Sequence, residues 1–350
     1  MTNIWQKVSL TGQAKKDVFF CLAPMSDVTD LPFRQIIAKY SRHGLPAQAG
    51  KVGGGPDVFW TEFVSADGIA SNEGRKKLLP ILKYSKNEKP IIAQIFGAKP
   101  ENIKTACQII SKLGFDGIDI NMGCPDRSVL KQGAGASLIQ TPKLAQEIIR
   151  AAKAGAPKLP ISVKTRIGFN TIEYKKWLPK ILEENISALT IHLRTKKEMS
   201  DVPAHFELAK DVVNVVRKHD KKVVLIVNGD IKSLEQGKKL AAASGFDGVM
   251  IGRAIFGNPW FFAPKKKYES ISTEEKLNVL VEHTKLYEKL LPHRNFANMK
   301  KHFKAYINGF DGAKELRNRL METNNSKEVA KIVDNFLKTQ KTKLNSAKKE

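Results

Sequence analysis

Short apolar runs, each ended by polar, glycine or proline residues and separated by stretches of helical character, constrain this chain more than any other feature. The clearest are Val18-Phe19-Phe20-Cys21-Leu22-Ala23, Pro90 to Phe96, Ile118-Asp119-Ile120, Ile161-Ser162-Val163-Lys164, Leu189-Thr190-Ile191-His192, Val223 to Val227 and Gly248-Val249-Met250-Ile251, with a shorter one at Val58 to Phe63. Strands apolar on both faces are what a parallel sheet covered by helices requires. Between them the pattern predicts helices opening at Asp30 to Arg34 and running over 100–113, 142–154, 174–184, 204–219 and 233–243. About eight such units over roughly 260 residues have the size and rhythm of a (β/α)8 barrel. Gly114-Phe115-Asp116-Gly117 returns as Gly245-Phe246-Asp247-Gly248. Matching helix-to-strand turns four units apart are what two half-barrels would leave.

After Trp260-Phe261-Phe262 the strands stop. Lys265-Lys266-Lys267 reads as a linker, and Leu277, Leu280, Val281, Leu286 and Leu290 recur at helical spacing. The expected architecture is therefore an α/β TIM barrel over 1–262, an all-α helical bundle over 263–337 and a disordered basic tail over 338–350. Lys+Arg 59 against Asp+Glu 35 leaves a net charge of +24, which on an enzyme points to a polyanionic partner. Lys300, Lys301, Lys304, Lys314, Arg317 and Arg319, interleaved with Phe303 and Tyr306, make the helical part either a solvated charged face or an RNA-contacting region. Three cysteines, Cys21, Cys107 and Cys124, carry no metal-ligand spacing and suit a reducing cytosol. No apolar run approaches the length of a membrane span, and the first residues lack a signal core.

In a barrel the C-terminal strand ends converge on one mouth. That would gather Pro24, Met25, Glu62, Gln94, Asn121, Cys124, Lys164, His192, Asn228 and Arg253. The loops after the last two strands read Asn228-Gly229-Asp230 and Gly252-Arg253, a composition suited to phosphate. Gln94 interrupts an apolar strand and needs polar partners. Lys164 at the rim could approach an electron-rich ring, with a Schiff-base role as the rival. Glu62 and Asp27 could read a base edge or cap helices. Gly53-Gly54-Gly55 could cradle phosphate, yet no Walker-type Lys-Ser/Thr follows, so the stretch 44–55 reads as a flexible loop.

Taken together, Ala23-Pro24-Met25, Thr61-Glu62, Ala93-Gln94, Asn121-Met122-Gly123-Cys124-Pro125, Val163-Lys164, Ile191-His192, Asn228-Gly229-Asp230 and Gly252-Arg253 resemble the tRNA-dihydrouridine synthases. The likeness runs from about Phe20 to Trp260, and more loosely through His302 to Tyr306 and Leu316-Arg317; its most specific part is the Asn-Met-Gly-Cys-Pro box followed by Gly133-Ala134-Gly135-Ala136. It implies FMN at the barrel mouth, NADPH or NADH as reductant, and tRNA as substrate; from the cysteine usage the enzyme is expected to be cytoplasmic and metal-free, and it is expected to act as a monomer. It implies that Pro24, Met25, Ser26, Gln94, Lys164, His192, Asn228, Gly229, Asp230, Gly252 and Arg253 hold the flavin. Cys124 matches the catalytic general acid that protonates C5 of the uracil, with Glu62, Asn121, Arg166, Lys300, Lys304 and Arg317 meeting the tRNA. The stretch Leu45 to Gly55 departs from the family pattern. The alternatives are an FMN barrel reducing a small-molecule pyrimidine, and a non-catalytic RNA-binding module.

Overall fold

A computed structural model describes residues 3–10, 18–41, 55–263 and 270–346, and the chain divides into two compact units. The first holds the strands β1 (Phe19–Leu22), β2 (Phe59–Trp60), β3 (Val64–Ser65), β4 (Ile91–Phe96), β5 (Gly117–Met122), β6 (Ile161–Gly168), β7 (Ala188–Thr195), β8 (Val224–Asn228) and β9 (Gly248–Ile251). Every pair is parallel, in the order β1-β9-β8-β7-β6-β5-β4-β2, with β3 a second short partner of β4. The ring closes between β1 and β2: Cys21 bridges Val58, and the Leu22 N–H donates to the Val58 carbonyl at 3.1 Å. This is the expected (β/α)8 barrel.

Its strand boundaries differ from the expected ones for identifiable reasons. Of the run Val58 to Phe63 only Phe59–Trp60 forms a strand, with β3 following beyond it at Val64–Ser65, and between them the Gln94 N–H donates to the Thr61 side-chain oxygen at 3.2 Å in place of a backbone acceptor. Strands β6 and β7 extend to Gly168 and Thr195, through Arg166 and Arg194, which the sequence pattern reads as loop. The helix expected from Ala204 starts at Ala209, since the Ala204 N–H is bonded to Asp230 (3.1 Å) and the His205 N–H to the Leu193 carbonyl (2.8 Å).

The barrel floor is apolar. Phe19, Val58, Ile92, Ala188 and Val224 pack with Ile4, Trp5 and Val8 of the helix Ile4–Leu10, and Trp5 meets Trp60 at 5.6 Å. The repeated turn is real in structure. Gly114 (φ 80°) and Gly245 (φ 90°) are both left-handed, the conformation glycine adopts without strain. The following aspartates clip the preceding strand: Asp116 accepts the Ile91 N–H at 2.9 Å and Asp247 the Leu225 N–H at 2.8 Å.

The second unit contains the helices Leu31–Ser41, Thr273–Leu290, Lys300–Tyr306, Ala313–Met321 and Ser326–Ser346. Its core includes Trp260, Leu277, Leu280, Tyr287, Phe303, Leu316 and Val329. The helix Leu31–Ser41 follows β1 in sequence yet contributes Ile36 to this core, and Tyr40 donates to Glu282 at 2.6 Å. The last helix runs to Ser346, through a stretch expected to be disordered from Lys338. Its amphipathic start, with Val329 and Val333 buried, anchors it. The Gly-rich stretch before Gly55 and Lys265-Lys266-Lys267 lie outside the described residues.

Candidate active site

At the C-terminal strand ends the barrel opens into a cavity of about 600 Å³. Its wall is made by Ala23, Pro24 and Met25 after β1, Lys164 on β6, His192 and Arg194 on β7, Asn228, Gly229 and Asp230 after β8, and Met250, Gly252 and Arg253 at β9. A volume of this size takes a cofactor-sized ligand. Strand alternation explains the set, since His192 and Arg194 stand two apart and so share one face.

One end of the cavity is cationic and held by Asp230. This carboxylate accepts from Arg253 at 2.7 Å, from Arg194 and from the Ala204 N–H, in a residue whose backbone is itself left-handed (φ 45°). Arg194 also faces His192 Nε2 at 3.1 Å. Arginine can only donate, so this nitrogen accepts and the ring proton sits on Nδ1. Burial, together with the charges of Arg166, Lys164, Arg194 and Arg253, keeps His192 neutral well below its ordinary range. Gly229 has φ 122°, and a Cβ there would lie 3.0 Å from Ala204 Cβ and 3.1 Å from His192 Cδ2. A side chain at 229 would therefore crowd the cationic end.

A second polar group lies deeper between β4, β5 and β6. Asp119, fully buried, accepts from Gln94 Nε2 at 2.6 Å and from Ser162 Oγ at 2.6 Å. Gln94 Oε1 accepts from Asn121 Nδ2 at 3.0 Å, and Asn121 Oδ1 accepts the N–H groups of Gly123 (3.1 Å) and Cys124 (2.9 Å). Burial raises the Asp119 carboxyl to about 6, against hydrogen bonds from Gln94 and Ser162 and the Lys164 charge. Burial also lowers the Lys164 amine to about 8, helped by Arg166 and opposed by Asp119.

Cys124 is half-buried at the end of β5, packed with Phe96, Val129 and Ala134. Burial raises its thiol above the ordinary value, more than the backbone bond and the Lys164 and Arg166 charges lower it. The thiol is therefore protonated at neutral pH. Two features fix its loop. Gly135 (φ 61°) passes close beneath it, where a Cβ would lie 2.8 Å from the Cys124 carbonyl oxygen. Arg166 donates through Nε to the Gly123 carbonyl at 2.8 Å and through Nη1 to Thr195 (2.9 Å) and Met199 (3.1 Å).

Thus Pro24, Met25, Lys164, His192, Asn228, Gly229, Asp230, Gly252 and Arg253 share the cavity wall, whereas Gln94, Asn121 and Cys124 belong to the adjoining buried network. Ser26 is an exposed turn residue, and Glu62 is buried, accepting the Asp27 N–H at 2.7 Å. Lys304 is exposed on the helix Lys300–Tyr306, Lys300 is half-buried at its start, and Arg317 donates to the Ile307 carbonyl at 3.1 Å. Sequence reasoning missed Arg194 and Asp119. Extending β7 by one alternation beyond His192 would have found the first, and Asp119 shows as a carboxylate inside the apolar run Ile118 to Ile120.

A parallel barrel whose C-terminal strand ends carry a cavity with a cationic end and a half-buried cysteine has the arrangement of a TIM-barrel enzyme. The dihydrouridine synthase (Dus) model matches residues 21–343. A probable tRNA-dihydrouridine synthase of Staphylococcus aureus (strain COL) is 42% identical over 321 residues, covering 91% of this chain and 93% of that protein. Probable tRNA-dihydrouridine synthase 2 of Bacillus subtilis (strain 168) is 41% identical, covering 91% and 94%. The chain belongs to the dihydrouridine synthase family, and so to the oxidoreductases. Among solved structures, a variant of NCR from Zymomonas mobilis covers 72% of this chain and 94% of its own at 17% identity and a TM-score of 0.43, a likeness too slight to bear on function. Among the described residues no cluster of three or more His, Cys, Asp or Glu could hold a metal, and no helix is long and apolar enough to cross a membrane.

Proposed function

We propose that this protein is a tRNA-dihydrouridine synthase that reduces the C5–C6 bond of particular uridines, with FMN in the barrel mouth, NADPH as reductant and Cys124 as general acid. The observation that carries this reading is a cofactor-sized cavity with one cationic end whose wall residue Lys164 lies in register with Asn121, the residue that holds the half-buried Cys124 loop. The residues fit FMN. Arg194 and Arg253 would take the phosphate, with His192 beside them and Asp230 anchoring both guanidiniums. Gly229 and Gly252 leave the space a side chain would fill. Pro24 and Met25 would border the ring, with Ser26 on the turn after them, Lys164 on its polar edge with Gln94 behind it in the buried network, and Asn228 beside the ribityl chain. Bound and reduced, the flavin supplies a hydride for C6 of the uracil.

The rest falls to this chain. Cys124 gives its proton to C5, for which a thiol kept un-ionised at neutral pH is suited. The uridine has to leave its stack, at a cost of a few kcal/mol. Contacts from Lys300, Lys304 and Arg317 to tRNA phosphates would offset it, so binding should weaken steeply with salt. Glu62 is the candidate for the base edge, while Asn121 and Arg166 act on substrate through the Cys124 loop that they hold. A cytoplasmic monomer is the simplest setting for this reaction.

Unmodified tRNA incubated with the protein and NADPH, then mapped by mass spectrometry, should gain dihydrouridine at a defined position. Cys124→Ala should lose at least about a hundredfold in product formation, with flavin reduction by NADPH within twofold of the parent. Undiminished turnover would remove Cys124 from the chemistry. Reducible flavin with no tRNA product would instead favour a small-molecule pyrimidine reductase.

A further inference from the structure

We infer that Asp119 is the positioning residue of this site: its carboxylate sets the orientation of two amides in series and thereby holds the Cys124 loop for proton delivery, a role that rests on the synthase reading above. The register makes the chain of contacts. Asp119 lies directly across from Gln94 on β4 and Ser162 on β6, and Asn121 stands two residues on, sharing its face.

An ionised carboxylate only accepts hydrogen bonds. Facing Asp119, Gln94 therefore has to present its NH2, which it does at 2.6 Å. Its oxygen is then committed to Asn121, whose NH2 meets it at 3.0 Å. Asn121 is left with its oxygen toward the loop, where it receives the Gly123 and Cys124 N–H groups at 3.1 and 2.9 Å. Reversing either amide would bring donor against donor, at the Asn121–Gln94 contact or at the Cys124 N–H. Ser162 occupies the second carboxylate oxygen at 2.6 Å, so the anchor cannot turn toward another partner. The charged group facing it is Lys164, from β6.

The site keeps this charge at a cost to stability. Burial raises the Asp119 carboxyl to about 6, so ionising it opposes folding at neutral pH. A residue retained only for structure would be better neutral. Asparagine at 119 keeps the shape but offers both a donor and an acceptor, which frees the two amides to reverse.

The full-length protein carrying Asp119→Asn tests this through three readouts. Cys124 is the half-buried cysteine, with Cys21 and Cys107 buried, so iodoacetamide in the absence of tRNA reports the seating of its loop. The alkylation rate should change at least about threefold and single-turnover dihydrouridine formation fall by about thirtyfold. Flavin reduction by NADPH should fall less than product formation, and the melting temperature should hold or rise. In an Asn121→Ala background, Asp119→Asn should add less than about twofold to either change, because the two act through one path. Additive losses, or an unchanged alkylation rate, would overturn the proposal. If Asp119→Asn does not fold, Ser162→Ala should show the same pattern more weakly. Alkylation and its non-additivity need no tRNA product, so they separate failure of this inference from failure of the synthase reading.

Discussion

Two clusters of buried polar side chains, one in each unit, are held in opposite ways. In the barrel, Asp119, Gln94, Asn121 and Ser162 use their hydrogen-bonding atoms on one another or on the Cys124 loop. In the helical unit, both ring nitrogens of His283, Nδ1 of His302 and the Tyr306 hydroxyl are buried without a hydrogen-bond partner among the described residues. These rings pack as aromatic surface instead: His283 meets His302 edge-on at 4.8 Å and Phe33 at 5.8 Å. Burial lowers His283 to about 3, so it is neutral and behaves as a hydrophobe. The difference teaches that a buried polar residue is informative when its partners are fixed by strand register, and much less so when it merely fills a core.

The largest effect that would break this comparison comes from removing one partner on each side. Gln94→Leu leaves a carboxylate oxygen and an amide donor unpaired, and should cost about 2–5 kcal/mol in urea unfolding. His283→Leu removes groups that have no partner to lose, and should fall within about 1 kcal/mol of the parent or be more stable. Similar losses from both would mean that the two clusters are held alike.

Acid sharpens the contrast, because the shifts have opposite signs. His283 is depressed in the folded state, so its contribution is intact above about 6.5 and is lost as pH falls toward 3, by on the order of 1.4 kcal/mol per pH unit. Asp119 is raised, so the folded protein takes up a proton near pH 6 and this carboxyl's contribution grows between pH 6 and about 4. Urea midpoints between pH 7 and pH 4 should therefore fall less steeply for His283→Leu than for the parent. For Asp119→Asn, which loses the compensating gain, they should fall more steeply. Parallel curves for all three proteins would discard both assignments.

How far the sequence was legible follows the same division. Apolar runs and their polar ends revealed the barrel and most of the cavity wall, because alternation and strand termini are local properties. The ends of β6 and β7 were not legible, because Arg166 and Arg194 look like loop residues until their bonds to the Gly123 carbonyl and Asp230 are seen. The early end of β2, at Trp60 within the Val58 to Phe63 run, goes with a Thr61 hydroxyl accepting the Gln94 N–H in place of a backbone carbonyl. The helix Leu31–Ser41, next to a barrel strand in sequence, packs in the helical core. Long-range partners decide each of these, and a single sequence does not display them.

The smallest effect probes the one long-range device that was visible as a motif. Asp116 and Asp247 stand in equivalent turns, yet they are not equally embedded. Asp247 also receives Arg217 at 2.6 Å, with its side chain 13% exposed, whereas Asp116 has Lys89 at 3.6 Å and is 28% exposed. Asp247→Ala leaves the Leu225 N–H and a half-buried guanidinium short of an acceptor, and should cost about 2 kcal/mol. Asp116→Ala should cost about 1 kcal/mol, since solvent can reach its turn. Urea unfolding of the two variants would check the ranking. The reverse order would show that closure of the β8–β9 side depends on its backbone ladder more than on this aspartate, and the turn repeat would then be an echo of sequence without equal mechanical meaning.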